Sequence, residues 1–325
     1  MSLVAQKYGL LINKMEKNSK IYIAGNTGLV GSAIERELKK QGYANIIGNA
    51  SKEIDLRNQK RVEEFFEQNH PEYVFMAAAK VGGVKANVEY PADFIYDNTQ
   101  IQNNLIMSAW RNGVKKFCFL GSNCIYPKAA PQPYKEESFL QGRVEETNEP
   151  YAIAKINGIK LGQSLNIQHG FNFITVIPAS LFGPNDNFDL QQSHLVPALI
   201  RKFHEAKLNN KEVQLWGTGE SRREIMHVDD AAKACIFLMN NYDSLEIVNV
   251  GVDQDYSIKE IAEIVKKVTD YNGKINFEGG ERSGIKRKLL DSTKARLLGW
   301  KPDLNIEEGL KKTYEWFKEN YDSLN

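Results

Sequence analysis

A doubly wound α/β fold, a parallel sheet with helices on both faces, is predicted by three features of the sequence. Short apolar runs of strand type alternate with helical patterns through the first half of the chain. The first run, residues 20–24, opens straight into Gly25-Asn26-Thr27-Gly28-Leu29-Val30-Gly31 and then a helical pattern over 32–40. Strand, glycine turn and helix in that order make a phosphate-binding context, because glycines permit the tight turn and let a pyrophosphate approach the helix N-terminus. Later runs end in small or polar residues, Ala77-Ala78-Ala79 and Gly121-Ser122, at the strand ends where such sheets bind ligands.

The remaining elements follow in order. Residues 44–48 read as a second strand, and Asp55-Leu56-Arg57 leads into a helix over about 58–68. The run 73–79 is a buried strand, followed by a long helix over about 90–112 and a strand over 116–122. Pro150 suits a first helical turn, with Thr147 and Asn148 upstream as candidate caps. A strand at 172–178 follows. From Gly183 the pattern changes to a loop at 183–188, a helix over about 197–207 and a strand at 213–217. A helix over about 228–239 and a strand at 246–251 return to the sheet, and 257–267, 274–277 and 306–317 mix helices with a strand. The expected organisation is an extension over 1–19, a dinucleotide-binding domain over 20–182 plus about 224–252, and a smaller interleaved substrate domain over about 183–223 plus 253–325.

Bulk properties narrow the function. The 325 residues carry a formal net charge of +1, without a basic stripe for nucleic acid or a membrane-binding face. Cys118, Cys124 and Cys235 lack metal spacing, and an odd number argues against a disulfide framework, so no metal and a reduced cytoplasmic setting are expected. No apolar run nears the roughly 18–20 residues of a membrane span, and no signal peptide is read at the start.

The candidate chemistry centres on Tyr151 and Lys155. Four apart, they share one face of a helix, with about 5–6 Å between Cβ atoms. A nearby ammonium favours the phenolate, so Lys155 is expected to bring the phenol down from about 10 toward neutrality, where it can exchange a proton with a carbonyl or alcohol oxygen. The same spacing fits a solvated helix face; Ser122 and the glycine turn supply the catalytic context. For the cofactor, no carboxylate ends the second strand, where one would bind the 2′-hydroxyl of NAD. That favours NADP(H), with Asn26 and Thr27 bonding the 2′-phosphate, Lys52 pairing with it, and Asn49 and Ser51 in the same region.

Longer blocks carry a family resemblance. They are Ala77-Ala78-Ala79-Lys80-Val81-Gly82-Gly83, Pro91-Ala92-Asp93-Phe94-Ile95, Cys124-Ile125-Tyr126-Pro127-Lys128 and Thr147-Asn148-Glu149-Pro150-Tyr151. Gly183-Pro184-Asn185-Asp186-Asn187-Phe188, Ser193-His194-Leu195-Val196-Pro197 and His227-Val228-Asp229-Asp230 extend them. With the glycine turn, Ser122 and Tyr151-x-x-x-Lys155, the chain resembles the extended short-chain dehydrogenase/reductases on the Rossmann fold. Within these it is similar to the GDP-L-fucose synthase family, the 3,5-epimerase-4-reductases of GDP-4-keto-6-deoxy-D-mannose in nucleotide-sugar biosynthesis for surface polysaccharide.

The resemblance implies an NADPH-dependent reductase that is a homodimer, its long helices over 90–112 and 151–168 packing against a mate. Cys124 and His194 match the family's epimerising acid/base pair, Tyr151 its proton donor, Ser122 a partner of the C4 oxygen, and Lys155 the ribose-binding lysine. Cofactor contacts are implied for residues 25–31, Asn49, Ser51, Lys52, Asp55, Leu56, Ala77, Ala78, Ala79, Pro178, Leu181 and His194. Substrate contacts are implied for Ser122, Asn123, Cys124, Ser180, Asn187, Lys202, Trp216, Arg223 and Arg282. Three positions depart from the family pattern: Asn123 replaces a second serine, Ser180 an asparagine, and Ser283 an acid. They point to a second reading, C4 reduction without epimerisation of a related sugar such as a GDP-linked 4-keto heptose. A redox-neutral, NAD-retaining epimerase or dehydratase is the more distant alternative.

Overall fold

The computed structural model describes residues 14–49, 53–279 and 285–324. The run Ile21-Tyr22-Ile23-Ala24 is buried on both faces, as a central parallel strand must be. This strand, β1 (Ile21–Ala24), lies between β2 (Ile46–Asn49) and β3 (Tyr73–Met76). Outward from β3 come β4 (Lys116–Leu120) and β5 (Phe173–Pro178). The chain then forms β6 (Ser180–Phe182), β7 (Val213–Trp216), β8 (Arg222–Arg223) and β9 (Ile225–His227) before β10 (Val248–Val250) joins the sheet beside β5. The sheet is parallel throughout, in the order β2-β1-β3-β4-β5-β10. The chain reverses direction across the sheet between β1 and β3, and the crevice beyond their carboxyl ends is where ligands bind in this class. The Ala77 N–H donates to the Ala24 carbonyl at 3.0 Å, so the glycine turn and the alanine run leave the sheet side by side.

Helices α1 (Leu29–Lys40), α2 (Gln59–Asn69), α3 (Val84–Glu89), α4 (Pro91–Arg111) and α5 (Glu149–His169) flank the first five strands. The α5 helix, which carries Tyr151 and Lys155, starts at a proline-bearing turn and stops at Gly170 in the left-handed region, φ 71°. Neither expected cap acts through its side chain on this helix: Asn148 makes no capping bond, and Thr147 belongs to a preceding 3-10 turn capped by Glu145. Two glycines hold α5 against the sheet. A Cβ on Gly162 would fall 2.2 Å from the Phe173 ring, and one on Gly158 would fall 2.5 Å from the Phe119 ring. Only glycine allows so close an approach, and the approach sets Lys155 beside the end of β4.

The second half contributes α6 (Leu195–Leu208), α7 (Val228–Asn241), α8 (Ile258–Val268), α9 (Thr293–Leu298) and α10 (Ile306–Asn320), with β11 (Tyr256–Ser257), β12 (Ile275–Glu278) and β13 (Arg287–Lys288). Capping boxes start α8 at Ser257–Glu260 and α10 at Asn305–Glu308. Short pairings replace a second large sheet: β6 with β9, β7 with β12, and β8 between β11 and β13. A second core of Phe182, Phe188, Phe203, Ile261, Leu310 and Phe317 lies apart from the core around the main sheet. Glu224, between β8 and β9, is 1% exposed and accepts from the N–H groups of Val252 (2.7 Å), Asp253 (2.9 Å) and Leu290 (2.9 Å). That carboxylate ties its own strand connection to two segments, 252–253 and 290, that return from distant points of the sequence.

Several boundaries differ from the sequence reading. The second strand starts two residues later than expected and ends one later, at Asn49, which is buried and accepts from the Tyr22 hydroxyl. Met15 is buried and its N–H donates to Asn240 Oδ1 at 2.8 Å, so the chain enters the fold before residue 20. The strands β6, β8, β9, β11 and β13 and the helices α3 and α9 were not expected; pieces of two to six residues carry too little periodicity to declare themselves.

Candidate active site

A cleft of about 970 Å³ runs along the carboxyl ends of the strands and holds most of the expected site residues. Its cofactor end is built by backbone approach. Gly25 has φ +81°, and a Cβ there would stand 2.9 Å from the Ala78 backbone. A Cβ on Gly31 would stand 2.1 Å from the Gly25 carbonyl oxygen, so the first turn of α1 closes tightly on the end of β1. Thr27, Gly28, Leu29 and Val30 face the cleft from that turn, with Asn49, Asp55, Leu56, Ala77, Ala78 and Ala79 across it. This cradle fits a dinucleotide phosphate at a helix N-terminus.

Asn26 departs from its expected role. Its Nδ2 donates to Glu35 at 3.1 Å, its side chain packs on Gly48, and it does not line the cleft. Ser51 and Lys52 lie outside the described residues. Two cations on this rim escaped the sequence reading. Arg57 pairs with Asp55 (2.9 Å) and Asp97 (3.2 Å), and Lys80 pairs with Asp93 (2.8 Å) and Asp97 (3.0 Å). Hydrogen bonds from Arg57 hold the Asp55 carboxyl below its usual range.

At the hydride end, β4 delivers Ser122 to a 3-10 turn at Asn123–Ile125, where its Oγ accepts from the Cys124 N–H at 3.4 Å. Asn123 also lines the cleft. Cys124 is buried with Val144 and Ala152, against Tyr151. The Tyr151 ring is half-buried and stands edge-on to Phe94, with centroids 6.3 Å apart. Lys155 is buried, and its Nζ donates to the Leu120 carbonyl at 2.8 Å, 5.8 Å from the Tyr151 ring centroid.

The expected acidification of Tyr151 is overturned here. Burial raises its phenol well above the ordinary value, with the Cys124 sulfur adding to the rise. Lys155 spends its ammonium on a carbonyl instead of the phenol, and burial lowers it to about 8. The ring's open edge onto the cleft moderates the push on Tyr151 without reversing it. A phenol that keeps its proton is suited to giving one away.

Cys124 and His194 shift in opposite senses. Burial raises the Cys124 thiol, so it holds its proton at neutral pH. His194 precedes α6 and opens to the cleft, yet the surrounding atoms, together with the Lys288 charge, lower its imidazole below its usual value. A protonated thiol and a neutral imidazole in one cleft supply a proton donor and a proton acceptor.

Pro178, Ser180, Leu181, Asn187 and Arg223 also line the cleft. Arg223 donates to the Arg222 carbonyl at 2.7 Å, and burial lowers its guanidinium. Lys288 also lines the cleft, a position not expected from the sequence. Lys202 and Trp216 lie together elsewhere: the ammonium sits 5.3 Å above a ring that is 60% exposed, and neither lines the cleft. Arg282 lies outside the described residues. Among the described residues, Asn87 Oδ1, Asn148 Oδ1, Asp186 Oδ2 and Ser193 Oγ in this wall are buried polar atoms without a hydrogen-bond partner.

With this geometry in hand, residues 21–251 match the NAD dependent epimerase/dehydratase family. The chain is 51% identical over 319 residues to GDP-L-fucose synthase 1 of Arabidopsis thaliana, covering 98% of this chain and 99% of that one. The chain belongs to the GDP-L-fucose synthase family. Among solved structures, a GDP-6-OMe-4-keto-L-xylo-heptose reductase from C. jejuni is similar to it with a TM-score of 0.90 and 39% identity, over 95% of this chain and 100% of that one. A GDP-L-fucose synthetase from Naegleria fowleri bound to NADP gives 0.89 and 29%, over 97% and 98%. Family membership accounts for the long blocks around Cys124, Tyr151 and His194, and the parallel sheet is the fold these neighbours share.

Proposed function

We propose that this protein reduces C4 of a GDP-linked 4-keto sugar with NADPH, after inverting C3 and C5, in the manner of a GDP-L-fucose synthase. The observation that carries the reading is the convergence of Ser122, Tyr151, Cys124 and His194 on one cleft, which the glycine cradle, Arg223 and Lys288 also line. NADPH, when bound, supplies the hydride that reaches C4. The chain does the rest. The C4 ketone acidifies the hydrogens at C3 and C5; neutral His194 takes one as a proton, the Cys124 thiol returns a proton from the opposite face, inverting the centre, and proton exchange with solvent restores imidazole and thiol before the second centre is inverted. Ser122 and the Tyr151 hydroxyl hold the C4 oxygen throughout, and at reduction Tyr151 gives it a proton. Arg223 and Lys288 face the diphosphate, and Asn187 and Ser180 face the sugar.

A second reading, C4 reduction without epimerisation, is favoured by Asn123 and Ser180 beside the sugar and by the likeness to a heptose reductase. Deuterium exchange separates the two. In D₂O without cofactor, epimerisation places deuterium at C3 and C5 of the 4-keto sugar, and Cys124→Ser or His194→Asn abolishes it while reduction of a pre-epimerised sugar continues. Sugar recovered without deuterium would leave the reductase alone. NADPH is the expected cofactor, and equal kcat/KM with NADH would refute that.

Three further parts belong to the same reading. Two cores support a sheet domain and an interleaved sugar domain, with bounds other than those expected, since Leu290, Ala295, Leu298 and Trp300 pack in the sheet core and Phe182 and Ile225 in the second. Exposed Tyr90, Ile95, Tyr96 and Ile153 near α4 and α5 support a homodimer through those helices, which light scattering would test. Three buried free cysteines suit a reducing cytoplasm, and a GDP-sugar product would serve nucleotide-sugar supply for surface polysaccharide.

A further inference from the structure

The front wall of the cleft is formed by Gly82, Gly83 and α3, which dock on the loop before His194. The Gly83 N–H donates to the Gln192 carbonyl at 2.9 Å, and Lys85 Nζ donates to Gln191 Oε1 at 2.7 Å. Asn87 is 6% exposed and holds this wall from within: its Nδ2 donates to the carbonyls of Gly82 (3.0 Å) and Gly83 (3.1 Å). Two carbonyl partners fix the amide's orientation, because only nitrogen can donate to them. The other end of the amide, Oδ1, is therefore a pure acceptor, and it has no partner. Ser193 Oγ, on the opposing loop and next to His194, is likewise buried without one.

The position of Asn87 selects what could pair with it. A Cβ on Gly82 would stand 3.2 Å from the Phe94 ring, and Phe94 is edge-on to Tyr151. Asn87 thus lies behind the wall that carries Phe94 and Tyr151, at the hydride end of the cleft. An acceptor there is useless to a ketone or a phosphate oxygen, which only accept. It suits a hydroxyl.

We propose that Asn87 is a specificity-determining residue whose Oδ1 accepts a hydrogen bond from a ring hydroxyl of the sugar, reached by a small outward shift of the Gly82-Gly83 turn. The inference rests on the sugar-reductase reading of the cleft. It predicts discrimination against sugars that are deoxygenated at that one position, since their binding would leave a buried acceptor unpaired.

The test is a cycle between residue and hydroxyl. Wild type and Asn87→Ala, both loaded with NADPH, are assayed on GDP-4-keto-6-deoxymannose and on analogues lacking the 2- or the 3-hydroxyl. The expected result is that wild type prefers the parent over one analogue by roughly tenfold to a hundredfold in kcat/KM. Asn87→Ala loses that preference and leaves the other analogue's ratio unchanged. A uniform loss on every sugar would make Asn87 a structural strut only, and no loss, or weakened NADPH binding, would equally overturn the proposal. If Asn87→Ala does not fold, Asn87→Ser takes its place, since its hydroxyl can bond back to the Gly83 carbonyl yet falls short of the sugar. Wild type that turns over none of these sugars, and no GDP-linked 4-keto heptose either, sinks the reductase reading itself. Calorimetric binding of the corresponding GDP-sugars, against GDP alone, then decides the Asn87 comparison.

Discussion

At Tyr151 and Lys155 burial moves two neighbouring groups in opposite senses, the phenol up and the ammonium down. The phenol is held protonated, which suits donation to a developing alkoxide. Tyr151→Phe should lower kcat by about 10²–10⁴-fold while NADPH binding, followed by fluorescence, is retained. Lys155 leaves a separate trace in stability. Its charge is lowered from 10.5 to about 8 by burial, so the unfolded chain binds more protons than the fold between those values. The penalty is fully present below about pH 8 and is relieved as pH rises toward 10.5. Melting curves across that window should show wild type gaining stability relative to Lys155→Met; parallel curves would contradict the assignment. Spacing alone disclosed that Tyr151 and Lys155 share a helix face. It could not disclose that Lys155 bonds to Leu120, because that carbonyl lies on a different strand and only packing brings it near.

Element-scale features separate what the sequence disclosed from what it hid. The apolar strands of the main sheet and the helix bearing Tyr151 were legible because each is long enough to show its period or is fully apolar. β8 and β13 were not, since two-residue strands have none, and with them went the role of Lys288 as part of the wall. Asn26 was misplaced for another reason: a glycine turn tells that a phosphate can approach, but not which side chain of the turn faces inward. Gly162 offers the sharpest test of the packing. Gly162→Ala puts a methyl 2.2 Å from the Phe173 ring and should destabilise by about 1–3 kcal/mol, read as a lower melting temperature, with kcat falling as Tyr151 moves. Gly31→Ala, whose methyl meets the Gly25 carbonyl oxygen at 2.1 Å, should lose NADPH binding in a fluorescence titration.

For the whole molecule, the two cores meet along a cleft that neither could form alone. Arg223 comes from β8 and Lys288 from β13, while Ser122 and Tyr151 come from the main sheet and its helix. Glu224 keeps these parts in register. Glu224→Ala leaves three buried N–H groups without an acceptor and should cost on the order of 3 kcal/mol in urea unfolding, and the sugar should bind more weakly than NADPH. A carboxylate of this kind has no local signature, because its three partners lie 28 to 66 residues away in the chain.

All three of the chain's cysteines are buried, but Cys118 and Cys235 are sealed between β4 and α7 while Cys124 borders the cleft. The protein thereby carries its own reporter group. A small alkylating reagent entering the cleft should tag Cys124 first, slowly because the thiol is reluctant to ionise. The tagging rate then becomes a meter of occupancy, falling as GDP-sugar fills the space, with no label engineered and no turnover required.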